Sequence, residues 1–268
     1  MHLKRWITGL TALPVLIVLV YTGGIFFVLL VSFACVCSLW EYFRIVFNTE
    51  HDVLSSPVIW WGYLISLSIL IAAHIAGLTA VAVIITLNLV FVGLVSVFIY
   101  KSKPSIVDDI AKQVQGVVYI PLLLSLLVVI RRDSNGMTWI FFLLSIIFAG
   151  DVCAYYVGSY FGKHKLVPAI SPGKTVEGAI GGLVGNILVG AIGKFFFLHD
   201  LSWGISILFF LAVGIAGQVG DLFESELKRS SKIKDSSGIL PGHGGFLDRI
   251  DALLFASPVA YAFKMYIF

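Results

Sequence analysis

Charge is what this chain has least of. Lysine, arginine, aspartate and glutamate make up 12% of its 268 residues, against roughly 25% in a soluble domain. With 59% hydrophobic residues and a mean hydropathy of +1.00, a soluble nucleotide-binding domain and a disordered chain are both excluded. Cysteine is almost missing. Cys35, Cys37 and Cys153 all lie in apolar runs with no partner histidine at ligand spacing. A disulfide scaffold and a thiolate metal site are therefore excluded, leaving small packing residues. The net charge of +3 is too small to argue for a nucleic-acid partner.

What is present is a series of long apolar runs. Crossing the roughly 30 Å hydrocarbon core takes about 20 residues of helix. Nine runs qualify: 6–21, 24–47, 58–73, 78–100, 114–130, 138–157, 178–198, 205–220 and 252–268. None shows the period of two that a membrane strand requires. The expected fold is all-α, a polytopic transmembrane bundle of about nine spans. Lys4 and Arg5 precede the first run as in a signal peptide, but no convincing cleavage site follows, so a retained helix is expected.

Lysine and arginine set the orientation. With the N-terminus cytoplasmic, only Arg131, Arg132, Lys194 and Lys264 fall outside, so 14 of the 18 cations are internal. The polar loops 158–177 and 221–251 then face the cytoplasm. Residues 1–130 form an N-terminal set of helices whose charges sit at span ends, with Glu41 and Arg44 read as a surface pair. Residues 131–268 carry the chemistry.

Asp151 lies within an apolar run, where an acid costs about 3 kcal/mol or more; it reads either as functional or as half of a buried structural pair. In Ser171-Pro-Gly-Lys-Thr-Val-Glu-Gly178 a turn precedes a helix starting near Thr175. Lys174 and the free amides there suit an anion, although a plain helix cap fits equally well. Glycines 178, 181, 182 and 185 make a small-residue face for close helix packing. In the loop 221–251, Asp221, Asp248 and Asp251 stand at membrane boundaries, the last two on one helix face. They form an oxygen-ligand set for a hard cation such as Mg²⁺. Lys228, Arg229, Lys232, Lys234 and Arg249 supply the cations that phosphate transfer requires. A basic loop drawn to anionic lipid is the alternative.

The run Ser225-x-Leu-Lys-Arg-x4-Lys234-Asp-x-Ser237-x2-Leu-Pro-x-His243-Gly-Gly-Phe-x-Asp248-Arg-Ile-Asp251 resembles the phosphatidate cytidylyltransferases. The resemblance extends to Asp151-x3-Tyr155-x2-Gly158 and Ser171-Pro-x-Lys174-Thr-x-Glu-Gly178, so it covers about residues 145–268. The family commonly has a second lysine where Gly173 stands and an aromatic residue where Val176 stands. It implies a multi-pass inner-membrane homodimer, its site on the cytoplasmic side, joining CTP to phosphatidic acid to give CDP-diacylglycerol and pyrophosphate. Mg²⁺, with room for a second cation, would be held by Asp221, Asp248 and Asp251. Ser225 and Lys228 would lie close by. Lys174, Ser171, Arg229, Lys234, Arg249 and His243 would be candidates for the phosphates, His243 serving as an acid or only as part of a turn. A CTP-dependent enzyme of another lipid, polyprenol kinase-like or an ether-lipid cytidylyltransferase, and an ion-coupled transporter are the alternatives.

The orientation is checked by thiol labelling in a background lacking the three native cysteines. Asn135→Cys should react with an impermeant maleimide in intact cells. Lys163→Cys should react only after permeabilisation. The reverse pattern would invert the topology.

Overall fold

The computed structural model describes residues 2–48, 56–199, 201–233, 236–237 and 244–268. Apart from one short hairpin, the described chain is helical, and it forms two compact units. One comprises Met1–Asp133 with Ser230–Asp248, the other Ser134–Arg229 with Arg249–Phe268.

The first unit contains α1 (His2–Thr22), α2 (Gly24–Val46), α3 (Pro57–Ile75), α4 (Leu78–Ile99), α5 (Ile106–Val117) and α6 (Leu123–Arg132). A π turn, Val118–Leu122, joins α5 to α6 and contains Pro121. Proline lacks the amide an α-helix needs at that point, and a local π adjustment absorbs the mismatch. Helix α3 begins with Pro57 in its first turn, where the missing donor costs nothing, and packs against α2, α4, α5 and α6.

Several polar groups in this apolar unit bond internally, as lipid demands. Arg131 Nε donates to Val20 O at 2.8 Å and its Nη2 to Tyr21 O at 2.9 Å, capping the C-terminus of α1. Gly23, with φ +65°, has to be glycine because a Cβ there would run into that guanidinium. The Tyr42 hydroxyl donates to Lys112 O at 3.0 Å, and Gly116 leaves room for the ring. Asn88 is one of the few buried residues of α4; it accepts from Trp61 Nε1 at 3.0 Å, tying that helix to α3.

The second unit contains α7 (Gly136–Phe161), β1 (Lys165–Val167), β2 (Ser171–Thr175), α8 (Val176–Phe197), α9 (Trp203–Ser230) and α10 (Leu247–Tyr266); the last begins in the first unit's share of the chain. The glycine face of α8 is used as its spacing predicts. A Cβ on Gly178 would lie 2.8 Å from Ala154 O, on Gly182 3.0 Å from Gly150 O, and on Gly185 2.6 Å from Cys153 Sγ. Helices α7 and α8 therefore meet backbone to backbone. Asn186 fills the gap, seated against Gly150 of α7 and Gly214 of α9, both of which would clash with it if they carried a Cβ. Gln218 Nε2 donates to Ala179 O at 2.9 Å and holds α9 on α8.

Among the described residues, seven helical stretches are long and apolar enough to cross a membrane: α2, α3, α4, α5 through α6, α7, α8 and α9. The described apolar part of α1, Ala12–Thr22, is shorter, and α10 carries Asp248, Arg249, Asp251 and Lys264. The chain is a multi-pass, all-helical membrane protein. Two expected loops are more ordered than their polarity implies. Helix α9 continues to Ser230 through residues read as loop, because Asp221–Ser230 consists mostly of good helix formers with a Glu224–Lys228 i,i+4 pair. The 158–177 stretch holds the end of α7 and an antiparallel hairpin pairing Lys165 with Thr175 and Val167 with Ser171.

Gly185→Leu should overpack the α7–α8 contact and cost about 1–3 kcal/mol, lowering the melting temperature of the detergent-solubilised protein. Gly93→Leu, where nothing lies within 4 Å of the added carbon, should leave it unchanged.

Candidate functional site

The acids of the second unit meet because a glycine lets two helices touch. Gly220 of α9 lies against the Asp251 carbonyl of α10, where a Cβ would overlap it and would stand 3.0 Å from Phe255 Cβ. Its neighbour Asp221 is thereby brought into the electrostatic range of Asp251, and Asp151 of α7 shares the same field. Asp251 is 8% exposed and accepts from Ala252 N at 2.7 Å. Asp151 thus shares an electrostatic environment with two of the three acids singled out in the sequence.

One cation enters this cluster from the hairpin. Lys174, near the end of β2, places its Nζ 2.5 Å from Asp221 Oδ2, and Arg249 also acts on Asp151. The next residue, Thr175, caps α8 by accepting from Gly178 N at 3.1 Å. Of the two local readings of this segment, the helix cap is the one the structure shows, and the lysine's charge is directed to Asp221. Arg229 is exposed, and its Nε donates to Ile170 O at 3.1 Å, which ties the end of α9 to the hairpin. Lys228 pairs with buried Glu224 at 2.5 Å. Ser225 is buried on α9, and Ser171 is part of β2.

Two partners of Asp248 belong to the first unit: Oδ2 accepts from Gly245 N at 2.9 Å and lies 3.0 Å from Ser236 Oγ. Glu41 is the residue that sequence reasoning misplaced. It is completely buried, not on a surface, and accepts from Phe246 N at 2.8 Å, from Leu247 N at 2.7 Å and from the hydroxyls of Ser236 and Ser237. Arg44, its expected partner, lies over the Trp40 ring. No local signal could have revealed this, since the partners lie some 200 residues away. Lys234 and His243 are outside the described residues. Among the described residues, no group of three or more His, Cys, Asp or Glu side chains is gathered closely enough to hold a metal ion by itself.

Comparison with known proteins decides the family. A model of the cytidylyltransferase family matches residues 3–267. The chain belongs to that family. Among curated relatives, the phosphatidate cytidylyltransferase of Bacillus subtilis (strain 168) is 41% identical over 155 residues, 58% of each chain. That of Staphylococcus haemolyticus (strain JCSC1435) is 44% identical over 126 residues, 47% of this chain and 48% of the relative. That of Staphylococcus epidermidis (strain ATCC 35984) is 45% identical over 127 residues, again about half of each. The matched part of the chain thus spans about half to three fifths of these relatives.

For this cytidylyltransferase-family member, a double-mutant cycle on Lys174→Met and Asp221→Asn should give a coupling within about 0.5–3 kcal/mol. The low end is expected, because solvent reaches both side chains. Additive losses in thermal stability would mean that the pair does not act as a unit.

Proposed function

We propose that this chain is a phosphatidate cytidylyltransferase, which transfers CMP from CTP to phosphatidic acid and releases pyrophosphate. The observation that carries the reading is the gathering of Asp151, Asp221 and Asp251 in one field beside Lys174, in a chain of the cytidylyltransferase family. Carboxylates that share a field need a cation, and their oxygens suit a hard one. Mg²⁺ is commonly held by one or two carboxylates together with substrate phosphates, so an all-protein cage is not required. Asp221 and Asp251 would hold it, and the motif match adds Asp248. When bound, the ion would offset the charge on the reacting phosphates.

The chemistry asks little covalent work of the protein. A phosphomonoester has a second pKa near about 6, so phosphatidate arrives largely dianionic and needs no protein base. Its oxygen attacks the α-phosphorus of CTP, a P–O bond forms, the α–β bridge breaks, and pyrophosphate leaves with the bridging oxygen. The chain's task is to bring two polyanions together in line. Lys174, Lys228, Arg229, Lys234 and Arg249 are the cations assigned to their phosphates, with Ser171, Ser225 and His243 as polar contacts. The cation bias of the loops favours a cytoplasmic N-terminus and a site facing cytosolic CTP, with α1 and α10 completing nine spans. A homodimer is part of the same reading.

Purified protein given CTP labelled at the α-phosphate, phosphatidate and Mg²⁺ should form labelled CDP-diacylglycerol, and EDTA should abolish it. Asp221→Asn should lower kcat at least about 100-fold. Lipid phosphorylation with release of CDP would replace this reading with a kinase, and full activity of the variant would remove Asp221 from the centre.

A further inference from the structure

We propose that Glu41 is a positioning residue for the transfer centre, its buried carboxylate setting the N-terminus of α10 and the side chain of Asp248; this rests on the proposed function. A helix N-terminus leaves its first amides without partners. Here the partner comes from another helix. The two oxygens of Glu41 take Phe246 N and Leu247 N, at the start of α10, at 2.8 and 2.7 Å. The same two oxygens take the hydroxyls of Ser236 and Ser237. One carboxylate thus ties Ser236 and Ser237 to Phe246 and Leu247.

The clamp reaches Asp248 directly. Ser236 Oγ lies 3.1 Å from Glu41 Oε2 and 3.0 Å from Asp248 Oδ2, so one hydroxyl stands between the two acids and its single proton is shared between them. Asp248 also turns back to accept from Gly245 N at 2.9 Å, closing the first turn as a capping box does. Gly245 gives independent support. A Cβ there would overlap Ser236 Oγ and stand 2.7 and 2.8 Å from the two Glu41 oxygens. Only glycine fits beside the carboxylate. The expected local partner, Arg44, lies over Trp40 instead, and the bonds described for Glu41 come from the 236–247 segment. A buried carboxylate used this way fixes orientation rather than binding substrate. Its loss should misdirect Asp248 while the apolar helices remain packed.

The test uses the full chain in detergent with lipid substrate. Glu41→Gln keeps the shape but turns an NH₂ group toward donors. It should lower kcat at least about 20-fold while KM for CTP stays within about threefold. Amide exchange should rise in a peptide covering 244–252 and not in peptides from α7 or α8. The double variant Ser236→Ala/Ser237→Ala, which leaves the carboxylate and the amides in place, should lower kcat by about 3–10-fold with the same localised exchange. A kcat within about twofold of wild type, or exchange at 244–252 that does not change, would overturn the role. If Glu41→Gln does not fold, the serine pair decides by the same two readings. Wild type that makes no CDP-lipid would overturn the activity and this role with it, while exchange still reports whether Glu41 holds α10.

Discussion

Carboxylates that share one field among apolar helices repel one another, and the second unit is arranged around that repulsion. Asp151, Asp221 and Asp251 come from three helices, each at a cost that no structural need of a bundle explains. What brings them together is the absence of side chains elsewhere. Gly220 lets α9 touch α10 at Asp251, and the glycines of α8 let α7 approach backbone to backbone. Small residues pack the frame tightly, and a tight frame keeps like charges close. Lys174 from the hairpin offsets part of the charge. On the proposed function, a bound cation would offset the remainder.

Glu41 shows the opposite use of a buried acid. Four donors, two from backbone and two from hydroxyls, surround it, so its charge is spread over hydrogen bonds and the positive end of α10. Such a carboxylate has little capacity left for a ligand and much for holding geometry. For the aspartates the structure gives a short Lys174–Asp221 ion pair and one amide, Ala252 N, on Asp251. The first arrangement holds the start of α10, and the second is the one to which the proposed function assigns a ligand.

Much of this was legible from local spacing. Glycines four apart identified the packed face of α8, and Thr175 ahead of Glu177 and Gly178 marked a capped helix start. The motif acids were visible as charges where apolar runs stop. Other features could not be read that way. Apolarity ends at Gly220, but helical hydrogen bonding continues to Ser230, because hydropathy reports lipid contact and not backbone structure. Arg44 at i+3 made a local pair the natural partner for Glu41, whereas the actual partners depend on chain packing across nearly the whole sequence. Asp151 was visible as costly, but its company in Asp221 and Asp251 depends on which helices touch.

The central claim is that the aspartate cluster receives a divalent cation, and Mn²⁺ titration followed by electron paramagnetic resonance tests it without reference to turnover. Wild-type protein should remove free Mn²⁺ from solution at a saturable site, more tightly when CTP is present. Asp221→Asn and Asp251→Asn should each weaken that uptake at least about tenfold, as the loss of a charged oxygen ligand predicts. Uptake by both variants equal to wild type would contradict the account.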